Sequence, residues 1–186
     1  IASCLVGSEM CKETDLEYID YPGIVAPAII TKQGANFSPV DISGWTPKGA
    51  TDIKAGEISL FEYALVNSGC CIPVSLFTQS GGYDPAVNLD FSDFQFQINI
   101  RKQQAQALVM SGEPAVQDFS NDCREIGKIL PRYDLYLQCA HHFKADSATN
   151  KLKHEYVVFR HTIALLLRTK SMHILKNYVS KYLLKK

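Results

Sequence analysis

The sequence predicts a mainly β fold: an antiparallel β-sandwich or barrel with a short helix near 120–130 and an amphipathic helix at the C-terminus, stabilised by disulfides. Three observations predict it. Apolar and polar residues alternate with the period of a strand over several stretches. Turn-rich clusters ("KQGANFSP", "GWTPKGA", "QSGGYDP", "SGEP" and "KADSATNK") separate those stretches at the spacing of an all-β protein. Six cysteines, Cys4, Cys11, Cys70, Cys71, Cys123 and Cys139, form an even set.

The elements follow in order. "GIVAPAIIT" (23–31) reads as a weak strand broken by Pro27. "EISLFEYALV" (57–66) is apolar on both faces, as a central strand would be. "CIPVSLFT" (71–78) carries Pro73, which lacks a ladder donor and so marks an edge or bulge. "DFQFQINI" (93–100) is the clearest strand, with Phe94, Phe96, Ile98 and Ile100 on one face and Gln95, Gln97 and Asn99 on the other. "QALVM" (106–110), "YDLYLQCAHHF" (133–143) and "EYVVFRHTIALLL" (155–167) complete the set. "SNDCREIGKIL" (120–130) reads as a short helix with a Ser cap and a stop at Pro131. The chain closes on "SMHILKNYVSKYLLKK", capped by Ser171, where Met172, Leu175, Val179, Tyr182 and Leu183 form a helical stripe.

With 186 residues the chain forms one disulfide-linked unit, or two β-rich lobes dividing near 80–88 or 111–118. Composition is that of a globular protein, 46% hydrophobic and 20% charged, which excludes disordered and collagen-like classes. Apolar runs such as "HTIALLL" (161–167) are far short of the roughly 20 residues of a membrane span. The chain opens on Ile1, which we read as a processed or truncated product whose signal peptide has been removed.

Adjacent Cys70 and Cys71 point to opposite faces of a strand and reach two different partners. A pairing of Cys4 or Cys11 with a later cysteine closes a loop of roughly 60 residues or more, worth about 4 kcal/mol in the chain-entropy model. Three disulfides place the protein in an oxidising compartment, secreted and extracellular. The alternative is six reduced core thiols. The sequon "NFS" at Asn36 fits secretion.

Charge is polarised. Residues 1–120 hold 6 Lys/Arg against 14 Asp/Glu, a net −8, and residues 121–186 hold 13 against 5, a net +8. All five histidines lie in the second part. Either an acidic lobe packs on a basic one, or a basic face is held for an anionic partner such as lipid or a glycan. The same choice applies to the last helix. We read its stripe as packing on a sheet, with the alternative that Lys176, Lys181, Lys185 and Lys186 hold it on an anionic surface.

Chemistry is thinly marked. Cys139 beside His141 and His142 would serve as a thiol–imidazole pair only if reduced. His141, His154 and His161 lack the spacing of a metal site, so no metal and no cofactor are expected. The carboxylate pairs Asp90 with Asp93 and Glu57 with Glu62 could act as in a glycosidase, but 19 acids make such pairs common. Ser80 before Gly81 and Gly82 is a turn, and no phosphate-binding glycine loop occurs. The basic segment has Tyr156, Tyr178 and Tyr182 but no nucleic-acid signature. Trp45 in "DISGWTPKG" is a loop residue able to stack on a sugar, anchor a partner or cap the core.

The six cysteines, the strand patterning after residue 90 and the lack of an enzyme motif together resemble the small secreted, cysteine-rich effectors of plant-pathogenic fungi, in particular the dual-domain, six-cysteine type. That resemblance implies a disulfide-bonded N-terminal lobe, a C-terminal β-sandwich and activity directed at a host. It carries no functional residue over. The expected function is therefore a secreted, non-enzymatic interaction protein of effector or toxin type that binds a host or partner macromolecule. A glycan-binding module and a small secreted hydrolase are the alternatives.

Overall fold

In the computed structural model, which describes residues 20–51, 55–118 and 125–184, the described residues are 42% helical and 17% strand. The mainly β expectation is corrected: the protein mixes helices with three small sheets, and the described residues form neither a sandwich nor a barrel. It divides into two compact units. One comprises residues 1–82 and 96–119, the other 83–95 and 120–186.

Among the described residues the first unit holds nine short strands: β1 (Ile24–Ala26), β2 (Ile29–Thr31), β3 (Asn36–Ser38), β4 (Val40–Asp41), β5 (Lys48–Gly49), β6 (Gly56–Ser59), β7 (Tyr63–Ala64), β8 (Gln106–Val109) and β9 (Ala115–Gln117). β8 lies between β1, which runs parallel to it with Ile24 opposite Ala107, and β6, which runs antiparallel with Ile58 opposite Ala107. β2 lies between antiparallel β3 and parallel β9, and β4 between antiparallel β5 and β7. Two of the three sheets thus contain a parallel pair, which needs a long crossover and cannot arise from hairpins alone. Pro27 does separate β1 from β2, and the 57–66 run breaks into β6 and β7 at a turn. Ile24, Ile29, Leu60, Leu65 and Val109 are buried together with Phe96 and Ile100.

Four expected strands are helices. Val74–Gln79 (α1) begins immediately after Pro73, whose fixed φ of −56° suits a helix start as well as a strand edge. Ser92–Ile100 (α2) is the Phe/Gln alternation. Its glutamines are not a solvent face, since Gln95 and Gln97 are each 4% exposed. Gln97 donates to the Leu65 carbonyl and accepts from the Leu65 N–H at 2.8 Å. Gln95 accepts from the Lys144 N–H at 2.6 Å. Buried amides that satisfy backbone groups look like the polar side of a strand when only the sequence is read. Tyr- and Val-rich segments 133–143 and 155–167, strand formers by propensity, lie in α3 (Ile126–His142) and α4 (Ala148–Thr169).

The short helix expected at 120–130 is also corrected. Its described part begins at Ile126 and passes through Pro131 to His142, giving 17 residues instead of a stop. Tertiary packing overrides the breaker: Ile129, Tyr133, Tyr136, Leu137 and Ala140 recur at helical spacing and are buried with Val158, Leu165, Ile174, Tyr178 and Tyr182. Each such side chain contributes roughly 1.5–3 kcal/mol on burial, enough to offset the ~3 kcal/mol that a proline costs in a helix interior. The C-terminal helix forms as expected after Ser171, as α5 (Met172–Tyr178) continuing into a π-helical turn, Val179–Leu183.

No disulfide occurs among the described residues. Cys70 is buried with its thiol directed at the Val66 carbonyl, 3.0 Å away. Cys71 pairs its backbone with Val25 in an isolated bridge, and Cys139 is fully buried on α3 in the other unit. The adjacent pair follows a turn at Ser68 and Gly69, with Cys71 in a single bridge rather than in the middle of a strand. Cys4, Cys11 and Cys123 lie outside the described residues.

Candidate binding face on the helical unit

α4 is fixed at both ends by local chemistry. The Ser147 hydroxyl accepts from the Asn150 N–H at 3.1 Å, an N-cap. At the other end Lys170 adopts φ 52° and its N–H closes on the Leu166 carbonyl at 2.8 Å. Between these caps the helix has one buried face, His154, Val158, Thr162 and Leu165. Thr162 meets the Tyr133 hydroxyl at 2.6 Å, and His154 Nε2 lies 2.9 Å from the Ala140 carbonyl.

A second apolar stripe lies on the other side. Leu152, Tyr156, Phe159, Ile163 and Leu167 recur at intervals of four, three, four and four, so they share an arc of roughly 80° at about 100° per residue. Leu152 is 61% exposed and Leu167 71%. α5 repeats the pattern. It packs through Ile174, Tyr178 and Tyr182, which are buried, while Met172, Val179 and Leu183 are exposed. The expectation that this stripe packs on a sheet is therefore corrected: Tyr182 is buried and Leu175 half-buried against a core of helices, and Met172, Val179 and Leu183 stay exposed. Met172, Leu175 and Val179 line a recess of about 500 Å³ with His173, Lys176 and Ser180.

The charges around these stripes are lopsided. Residues 148–184 hold seven Lys/Arg and one acid, a net +6. That acid, Glu155, accepts the Tyr182 hydroxyl at 3.0 Å. Lys181, one of the expected surface lysines, is ion-paired with Asp134 on α3. Among the described residues Lys151, Arg160, Arg168, Lys170 and Lys176 are exposed and make no ion pair. Lys185 and Lys186 lie outside the described residues. No helix among those described is long and apolar enough to cross a membrane.

The same unit gathers polar groups near Asp90. Arg132 grips that carboxylate with both terminal nitrogens, one bond being 2.7 Å. The Tyr136 ring lies tilted against His161 with centroids 4.5 Å apart, and its hydroxyl has no hydrogen-bond partner among the described residues. The Cys139 thiol points at Asn88 Oδ1 at 3.5 Å. Burial pushes the phenol of Tyr136 far above its ordinary 10.0, and that of Tyr133 up to about 12. These phenols are protonated at neutral pH and the Cys139 thiol is sealed from solvent, whereas the His161 imidazole beside Tyr136 is exposed.

The remaining sequence candidates are dispersed. Asp93 receives the Ser92 hydroxyl at 3.2 Å, while Glu57 receives the Tyr21 hydroxyl at 3.2 Å. The Ser80 hydroxyl donates to the Phe77 carbonyl, in a turn where Gly81 and Gly82 both have positive φ. No His, Cys, Asp and Glu groups cluster as a metal site among the described residues. Asn36 Nδ2, which a glycan would occupy, donates to Ala50 and Thr51 carbonyls at 2.6 and 3.3 Å. Trp45 is 58% exposed in the loop between β4 and β5 of the first unit. The α4 stripe is the feature that sequence reasoning missed. Its signal was two overlapping helical periods, 154/158/162/165 and 152/156/159/163/167, in a segment read as a strand. No protein-family model matches this chain, and no curated protein or solved structure matches it.

Proposed function

We propose that this protein is a secreted, non-enzymatic interaction protein of effector or toxin type, and that it binds its target through the outward face of α4 and α5. One observation carries the reading. Of the 14 exposed large hydrophobic residues among those described, eight fall within residues 148–184, whereas scattered single exposures are the norm for a surface without a partner. In the Asp90–Arg132 cluster the Cys139 thiol and the Tyr136 phenol are buried and Arg132 is bonded to Asp90, which supports the non-enzymatic half.

The test compares the full chain with a variant carrying L152Q, L167Q and M172Q, three exposed positions whose change leaves charge and helix propensity nearly intact. Both are immobilised and exposed to host extracellular fluid containing protein and lipid. The reading expects components retained by the natural chain and lost by the variant. Equal recovery by both would overturn it. Exposure of Trp45 favours a second reading, glycan binding by the first unit. In that case Trp45→Ala abolishes retention on a glycan array and the helical variant does not.

A further inference from the structure

We infer that the target of the α4–α5 face is an anionic lipid bilayer surface, on which the protein sits peripherally; this rests on the binding-face reading above. The face and a bilayer interface are complementary. The face offers leucine, methionine, valine and phenylalanine side chains that gain only from leaving water, and beside them cations that gain only from negative charge. A bilayer interface supplies both, with acyl chains under a layer of phosphates and carboxylates.

Other occupants supply one half. A second copy of this chain would bury the apolar stripes but bring a net +6 segment against another in a two-fold contact, where like charges oppose association. Nucleic acid would satisfy the cations, yet it offers Leu152, Leu167 and Met172 no apolar phase, since its bases reward flat aromatic rings. The geometry agrees. The α4 stripe lies on the side of the helix away from its buried residues His154, Val158 and Leu165, so it is convex, as suits a broad surface. The single acid of the segment is taken up by Tyr182, and Asp134 is taken up by Asn177 and Lys181, leaving Arg160, Arg168, Lys170 and Lys176 for lipid headgroups.

The experiment is flotation of the full chain with vesicles of phosphatidylcholine alone, and with vesicles in which about a third of the lipid is phosphatidylserine. Binding is expected to the anionic vesicles only. It should weaken at least about tenfold between roughly 0.05 and 0.3 M salt, as screening shortens the Debye length. Arg160→Glu and Lys176→Glu are each expected to lower affinity by about fivefold or more, a cation near such a surface being worth about that factor. The L152Q/L167Q/M172Q variant is expected to lose binding at unchanged charge, with its circular dichroism spectrum and thermal midpoint confirming the fold. Absence of vesicle binding at low salt overturns the inference, as does full binding by the glutamine variant, which would make the contact electrostatic only. If vesicles are not bound while the natural chain still retains a component that the variant loses, the lipid target falls and the binding face stands. If the variant behaves like the natural chain in both assays, both fall.

Discussion

A Cβ placed on Gly49 would stand 1.8 Å from the Asn36 carbonyl oxygen and 3.2 Å from the Phe37 nitrogen, both backbone atoms. The approach of β5 to β3 therefore demands a residue with no side chain, and the Asn36 side chain fastens the same place by donating to the Ala50 carbonyl. Gly49→Ala is expected to destabilise the first unit by more than about 3 kcal/mol, since backbone must move to relieve the overlap; urea unfolding checks it. In the second unit three buried tyrosines respond to alkaline pH. Burial raises Tyr133, Tyr136 and Tyr182 above the 10.0 of an unfolded chain. The unfolded chain therefore releases these protons first. The associated stability is fully present below pH 10 and declines as pH rises through and beyond it. Alkaline titration should show the second unit unfolding together with tyrosinate absorbance. Tyr182→Phe should flatten that decline, and at neutral pH it should cost about 1–2 kcal/mol through loss of the bond to Glu155.

At the scale of the element, legibility depended on where the polar side chains go. β1, β2 and β8 were readable because β-branched and aliphatic runs bounded by turns have few other uses. α2 was not, because Gln95 and Gln97 are buried on backbone groups far away in sequence, and no local pattern records that. α3 was obscured by Pro131, a breaker by every local criterion, which is retained because Ile129 and Tyr133 on either side are buried in a helical core. Pro131 is itself exposed, so Pro131→Ala opens no cavity and restores an N–H able to bond the Gly127 carbonyl. The variant is expected to be more stable by roughly 1–3 kcal/mol, seen as a higher thermal midpoint. α4 is the case that matters for function. Apolar residues on two of its faces made it look like a strand, and only one of those faces belongs to the core.

At the scale of the molecule, the charge split was visible from composition, and the structure adds where the basic half carries its exposed cations: beside two apolar stripes that the helical core leaves uncovered. The sequence named Lys176 and Lys181 on that surface but not Leu152, Phe159 or Leu167, because a strand assignment hides a helical face. The central claim is that this face is what the protein binds with, and tryptophan position offers the most direct test. The chain has one tryptophan, Trp45, in the first unit. Leu167→Trp adds a second indole on the exposed stripe of α4. With anionic vesicles whose acyl chains carry bromine, the account predicts that emission from the indole introduced by Leu167→Trp shifts to shorter wavelength and is quenched. Bound protein in which the introduced indole's emission does not change would contradict it.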